Sequence, residues 1–371
     1  PSLDEMVHVA KEMKRRNFEL PLMIGGATTS RMHTAIRIAP EYGRGVVHVL
    51  DASRSVTVAG NLLNETQKPL FLENISKEYQ KLKADFANKK SGKQLLSFQE
   101  AQANKTKINW NAFEPVKPGS LGVMIFDNPD LEEIAGYIDW QPFFIAWEMH
   151  GKFPQLLTDE KIGGAATKLY ADAQGLLKKI IREKWLTPRG VIGLWAANAI
   201  ASDTVTVKPE NADPINLEFL RQQSKKAAGQ ANISLADFIA PAETGKTDYI
   251  GAFSVTRQGM EKHIERFMAD QDDYNKIILQ ALADRLAEAF AEMLHKKVRT
   301  CYWGYEKGEQ LDNQQLIKEE YKGIRPAPGY PACPDHTEKY KLFQMLGGEK
   351  NTGITLTESL AMYPASSVCG W

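Results

Sequence analysis

The chain has little that would fasten, anchor or charge it. Its cysteines number three, Cys301, Cys333 and Cys369. So sparse and odd a set is no disulfide framework, and a reducing cytoplasm is the expected setting. No apolar run approaches the roughly 20 residues that a membrane helix requires, so no span is expected. Neither sign of charge is in excess, with Lys+Arg and Asp+Glu at 46 each. That removes the basic footprint of a nucleic-acid binder. No GxGxxG turn precedes a helix, which disfavours an ordinary Rossmann methyltransferase. The opening Pro1-Ser2-Leu3-Asp4 lacks the basic and apolar regions of a signal peptide. It also lacks an initiator methionine, so the chain reads as a piece of a longer one.

What is present is ordinary globular material. The length of 371 residues, with 43% hydrophobic and 25% charged, predicts two or three domains. Ser2-Leu3-Asp4-Glu5 is a capping-box pattern, and apolar residues at helical spacing carry a helix to about Arg16. Leu20–Ile24 reads as a buried parallel strand ending at Gly25-Gly26. Thr28–Ile38 reads as a helix, Val46–Leu50 as a second strand, and Ser53–Leu63 as a helix. The order α-β-α-β-α is a piece of a doubly wound parallel sheet, with ligands expected beyond the carboxyl ends of its strands. Residues 73–107 are rich in lysine and polar side chains, and are expected as a charged linker. This divides the chain into 1–72, 73–107 and 108–371.

The third part predicts an α+β fold. Gly122–Ile125, Val191–Leu194, Val205–Val207 and Asp248–Val255 read as strands. The segments between them are too irregular for regular crossovers, so a mixed or antiparallel sheet is expected. Helices are expected over Leu131–Tyr137, from Pro142 to His150, and over Tyr274–Arg299. On the last, Leu279, Leu282, Leu286, Phe290 and Met293 form an apolar face. Glu288, Glu292 and Lys296 form an i,i+4 ladder, read as a solvated face. Asp139, among large apolar neighbours, needs a partner; it is either a helix cap or a carboxylate facing a cationic ligand.

The stretch with most chemistry is GIRPAPGYPACPDHTE, 323–338. Its prolines forbid helix and central strand, leaving a rigid loop of the kind that carries binding groups. Arg325 offers a planar fork for a carboxylate, Gly329 lets a ligand approach the backbone, and Tyr330 offers a ring and a hydroxyl. The plain alternative is a proline-rich surface connection. Cys333 and His336 have metal-like spacing but no second pair, so no structural zinc is expected. His33 and His48 are isolated.

This stretch resembles the RxxxGY signature of the S-adenosylmethionine-binding activation domain in the cobalamin-dependent methionine synthase family. PLMIGGATTS at 21–30, YIDWQPFF at 137–144, ADRLAEAFAEMLH at 283–295 and LTESLAM at 356–362 are similar to the same family. The resemblance implies the end of a cobalamin-binding domain, then an activation domain ending within a motif the family continues with an aromatic pair. It implies cobalamin contacts at Gly25, Gly26 and Ala52. It implies S-adenosylmethionine contacts at Asp139, Arg325, Ala327, Gly329 and Tyr330, with Glu288 and Glu319 as further candidates and Tyr330 active in reactivation. The family's cobalt-ligating histidine motif has no counterpart here.

The implied reaction is methyl transfer from methyltetrahydrofolate to homocysteine through methylcobalamin. Oxidised cob(II)alamin is rescued by one-electron reduction and methylation from S-adenosylmethionine. The implied partners are a flavodoxin or flavin-containing reductase and upstream homocysteine and folate modules, with zinc expected only in the family's N-terminal module, which is absent here. Another class remains open: a non-catalytic S-adenosylmethionine-binding docking module for a separate corrinoid protein.

Overall fold

The computed structural model describes residues 2–25, 29–49, 52–91, 94–210 and 212–371, without the side chains of 2–4, 52–54 and 87–91. It divides into two units, Pro1–Leu96 and Ser97–Trp371. Among the described residues no helix is long and apolar enough to cross a membrane.

In the first unit, helix α1 (Ser2–Arg15) precedes strand β1 (Leu22–Ile24). Helix α2 (Arg31–His33) continues as a π-helix over Thr34–Ile38, and strand β2 (Val46–His48) follows. β1 and β2 pair in parallel, Leu22 opposite Val46. Ala10, Ile24, Ile38, Tyr42 and Val46 form the core, and the Tyr42 hydroxyl donates to the Phe18 and Leu20 carbonyls at 2.9 and 2.6 Å. Helices α3 (Ala52–Leu63) and α4 (Lys68–Ser91) complete the unit. The observed order is therefore the expected one.

The expected linker is where the picture differs. α4 is a packed helix: Tyr79 is 6% exposed, and its hydroxyl accepts from the His48 backbone N–H at 2.9 Å. Lys77, Lys81 and Lys83 are exposed on this helix, and composition alone does not separate such a face from a linker. Residues 97–107 belong to the second unit. Ser97 and Glu100 form a capping box on helix α5 (Phe98–Ala103). The Asn104 carbonyl accepts from the Asn232 N–H at 2.9 Å.

The second unit is organised on one long strand. β3 (Gly122–Asp127) leads through helices α6 (Leu131–Ala135), α7 (Gln141–Ala146) and α8 (Gly163–Glu183) to β4 (Thr187–Ala199). β5 (Thr204–Lys208), β6 (Ile215–Glu218) and β7 (Asp248–Gln258) follow. One edge of β4 pairs with β7 from Thr187–Gln258 to Ala197–Asp248. Its other edge is shared: β3 takes Arg189–Leu194 and β5 takes Ala196–Ala199. Two partners on one edge curl the sheet. All pairings in it are antiparallel, with β6 beyond β5 and β10 (Ser367–Gly370) beyond β7.

Both faces of β4 are covered, which is why its sequence reads as a continuous apolar run. Ile192 packs with α6, α7, α8 and helix α10 (Asp273–Lys297), through Phe143, Phe144, Ile180, Leu286 and Phe290. Val191 and Trp195 face the other way, toward Leu342, Leu346, Ile354 and Trp371. Helix α9 (Glu261–Ala269) precedes α10; helices α11 (Asn313–Ile317), α12 (Glu338–Leu346) and α13 (Gly348–Thr352) and the β8–β9 hairpin (Thr355–Leu356, Met362–Tyr363) follow it.

Candidate functional site

The site is built on one stripe of α10. Glu288, Glu292, His295, Lys296 and Arg299 recur at steps of three and four, so they share a face. The last of them lies in the π-helix Val298–Tyr302 that ends α10. The expected ladder does not form. Lys296 Nζ donates to the Leu311 carbonyl at 3.1 Å and lies 5.8 Å from the Tyr137 ring centre. Glu292 pairs instead with Arg325, Nη2 to Oε2 at 2.8 Å. Only Glu288 is solvated. The reason is tertiary: the segments after α10 fold back over the stripe, and a covered carboxylate needs a cation.

Arg299 is buried against the same segments. Its side chain is 0% exposed and pairs with Glu309, 4% exposed. Nε and Nη2 donate to the two carboxylate oxygens at 2.7 and 2.8 Å. The guanidinium lies 4.1 Å from the Tyr321 ring centre, and His295 meets that ring edge-on at 4.8 Å. Four buried atoms here have no hydrogen-bond partner among the described residues: Arg325 Nη1, Glu292 Oε1, His295 Nδ1 and Arg299 Nη1. Orphaned buried groups are rare and point to a missing partner.

Burial raises the Glu292 carboxyl above its usual range, while Arg325 and Arg299 pull it back. Burial, then Arg299 and Arg325, hold His295 down at about 2. His295 is therefore neutral in the folded chain, whereas an unfolded chain takes up its proton near about pH 6.5. Between those two values the unfolded state binds the extra proton. The neutral histidine's contribution is intact above about pH 6.5 and is lost as pH falls, at up to about 1.4 kcal/mol per pH unit. Denaturant titrations from about pH 7.5 to about pH 5 should show this slope. His295→Gln should flatten it by about one proton's worth, and an unchanged slope in that variant would refute the assignment.

The Arg325 loop is held at both ends. Its neighbour Pro326 accepts from the Trp371 N–H at 2.9 Å, which fixes it to the end of β10. Gly323 has φ +101°, and a Cβ there would lie 2.6 Å from the Tyr305 hydroxyl. Gly329 has φ +102°, and a Cβ would lie 2.1 Å from His336. Both glycines are therefore required. The Gly329 N–H donates to the Cys333 carbonyl at 2.8 Å, and the Cys333 N–H returns to Tyr330 at 2.9 Å. This tight turn buries Cys333 against Trp371 and α12 and leaves Tyr330 66% exposed.

Behind Arg325 lies a cleft of about 680 Å³. Leu194, Ile250 and Phe253 of the sheet form one wall, His295 and Trp303 another, and Arg325 stands at its edge. The remaining expected residues are distributed around this centre. Glu288 is one turn of α10 from Glu292. Glu319, exposed with φ +56°, is near enough for its charge to act on Glu292. Ala327 is half-buried and Gly329 exposed. Asp139 is half-buried, and its Oδ1 accepts from the Gln141 N–H at 2.9 Å at the start of α7. This closes a turn one residue before Trp140, the N-cap of α7, and among the described residues no hydrogen bond or ion pair joins Asp139 to Arg325. Its segment does reach the stripe, since Tyr137 lies under Lys296.

In the first unit Gly25 is exposed at the carboxyl end of β1, where a Cβ would lie 3.3 Å from the Val49 carbonyl. Gly26 and the side chain of Ala52 lie outside the described residues. Glu292 was read only as part of a solvated ladder, and His295 and Arg299 were not singled out by sequence, although their spacing on one helical stripe was there to be read. Cys333 and His336 are drawn into the Gly329 turn. No group of three or more His, Cys, Asp or Glu side chains arranged to hold a metal occurs among the described residues.

Comparison with known proteins gives two findings. The family model for the vitamin B12 dependent methionine synthase activation domain matches residues 130–371. The crystal structure of the MetH reactivation domain bound to AdoHcy is 48% identical and superposes with a TM-score of 0.71. The match covers 75% of this chain and 86% of that one.

Proposed function

The chain belongs to the family of vitamin B12 dependent methionine synthase activation domains, and from that membership we propose that it binds S-adenosylmethionine and serves the reductive remethylation of cob(II)alamin. The observation that carries the reading is Arg325 Nη1, a buried donor without a partner on a guanidinium whose other end is tied to Glu292. A carboxylate is the group such a donor takes best. The 48% identical reactivation domain holds AdoHcy, which carries that carboxylate on the same amino-acid end.

In this reading Arg325 binds the ligand's carboxylate. Asp139 receives its ammonium, once drawn from the Gln141 N–H. Glu288 and Glu319 offset the remaining positive charge. The backbone at Ala327–Gly329, held by Pro326 and Pro328, meets the adenine edge. Tyr330, exposed on its turn, would offer its ring and hydroxyl to a corrin and would shield the cobalt during reactivation. Cobalamin, when bound, supplies the cobalt that accepts the methyl group. Gly25 presents bare backbone at the carboxyl end of a parallel strand, where ligands of such sheets bind, and Gly26 and Ala52 would continue that contact. The electron donor is a flavodoxin or a flavin-containing reductase of the cytoplasm, and the homocysteine and folate modules complete the methyltransferase.

Calorimetric titration of S-adenosylmethionine tests the central claim. The wild type binds, and Arg325→Ala weakens binding by about 30-fold, as expected for a charge-assisted pair of about 2 kcal/mol. Arg325→Lys, which keeps a cation beside Glu292, serves if the alanine variant does not fold; it also loses affinity because one ammonium cannot replace the fork. A wild type that does not bind, or variants that bind equally well, would overturn the proposal.

A further inference from the structure

Arg325 and Glu292 meet in an unusual way. A guanidinium and a carboxylate ordinarily close two parallel hydrogen bonds when they can. Arg299 and Glu309 do so nearby, at 2.7 and 2.8 Å. Arg325 and Glu292 close one, Nη2 to Oε2 at 2.8 Å, and leave Nη1 and Oε1 buried and unpartnered. Both side chains are largely covered, at 21% and 13% exposed, so water does not simply replace the second bond.

The surroundings leave Glu292 to this one task. Lys296, the partner its spacing suggests, is bonded to the Leu311 carbonyl. Arg299 is taken by Glu309. Among the described residues the Glu292 side chain has no hydrogen bond other than the one to Arg325. Its backbone belongs to α10, the longest helix of the unit, whose opposite side is locked into the core by Phe290, Met293 and Leu294. Arg325, by contrast, projects from a loop without helix or strand. A rigid carboxylate thus grips one arm of a guanidinium whose own backbone supplies no such precision.

We propose that Glu292 is the positioning residue of the site: it holds Arg325 by Nη2 so that Nη1 is presented to the carboxylate of the bound ligand. This rests on the assignment of Arg325 to that carboxylate. Glu292 itself does not touch the ligand. It fixes the torsions of a long side chain before binding, so that ordering it is not part of the cost of association.

The test separates this inference from the reading beneath it. S-adenosylmethionine and its decarboxylated analogue, which lacks only the carboxylate, are titrated into the full chain and into Glu292→Gln. The wild type should bind S-adenosylmethionine more tightly than the analogue, because only the former uses Arg325. Glu292→Gln, which keeps the shape and loses the charge, should weaken S-adenosylmethionine by about tenfold and leave the analogue within about twofold. Glu292→Asp, charged but shorter, should show the same selective loss and replaces the glutamine variant if that does not fold. Equal weakening of both ligands would make Glu292 a merely structural residue and overturn the inference alone, as would no weakening of either. Equal binding of both ligands by the wild type would remove the carboxylate from Arg325 and overturn both.

Discussion

Arg221→Ala should cost the second unit about 3–5 kcal/mol of stability, the range for removing one partner of a buried ion pair. The Arg221 side chain is 0% exposed and sits between the side chains of Asp203 and Asp237, 16% and 2% exposed. Its Nη1 and Nη2 donate to the two oxygens of Asp237 at 2.8 and 2.7 Å, and Nε to Asp203 at 2.8 Å. The Asn232 and Ser202 carbonyls accept further bonds at 2.7 and 2.8 Å. Burial pulls the guanidinium pKa down, but Asp237 and then Asp203 more than restore it, leaving it above its ordinary value. Alanine would strip two carboxylates of their cation and two carbonyls of their donor, leaving Asp237 only the Ser234 and Thr106 N–H groups among the described residues.

The chain offers a clean readout, because all seven tryptophans, from Trp110 to Trp371, lie in the second unit. Urea titration followed by tryptophan fluorescence therefore reports that unit. Arg221→Ala/Asp237→Ala should recover part of the loss by removing one stranded charge, the asymmetry expected of buried pairs. A loss below about 1 kcal/mol in the single variant would mean that water reaches the site and that burial has been misjudged. The loops joined here include Phe219, Leu235 and Phe238, which line the cleft behind Arg325, so the pair shapes the site's wall from a distance.

The sequence made some of this legible and hid the rest for definite reasons. β1 and β2 announced themselves as short unbroken apolar runs ending in glycine or aspartate, although only β2 is buried throughout and Met23 of β1 is exposed. β4 was read as Val191–Leu194 but spans Thr187–Ala199, because Pro188, Arg189 and Gly190 look like a turn. Pro188 is tolerated at the strand's beginning. Helix α8, Gly163–Glu183, received no expectation at all. Its Leu169, Ala173, Leu176, Leu177 and Ile180 are buried at helical spacing, but the glycines at 163, 164 and 175 weaken the local signal.

At the site, the loop was legible and its support was not. Arg325, Gly329 and Tyr330 stand out because proline and positive-φ glycine are local chemistry. The charge stripe of α10 was misread because an i,i+4 pattern of Glu and Lys looks the same whether water or protein covers it. What decides is the path of residues 305–325, which no helical period encodes. Arg221 shows the same limit: its partners are 16 and 18 residues away in sequence, set by loop closure.

Glu309→Ala should be as damaging as the loss of Arg221, about 3–5 kcal/mol, and should also reach the ligand site. Arg299 is fully buried, and without Glu309 its charge would lose its hydrogen-bonded carboxylate and keep the Tyr321 ring at 4.1 Å. A ring face offsets about 2 kcal/mol at best when desolvated, well short of the several kcal/mol that stripping an ion of water costs. One carboxylate within electrostatic reach is Glu292, whose pKa Arg299 already pulls down. Arg299 in the variant therefore competes with Arg325 for Glu292, and Arg325 loses its hold. The expected result is a lower denaturation midpoint together with weaker S-adenosylmethionine binding, the latter measured well below that midpoint. Glu309→Gln keeps an acceptor without the charge and should lie between wild type and alanine in both. Replacing both partners, Arg299→Met with Glu309→Leu, removes the stranded charge and should return stability to within about 1–2 kcal/mol of wild type. Binding should recover with it, because Glu292 then answers to Arg325 alone. If stability returns in that double variant and binding does not, Arg299 meets the ligand in its own right through Nη1, and the division of labour on α10 has to be redrawn around it.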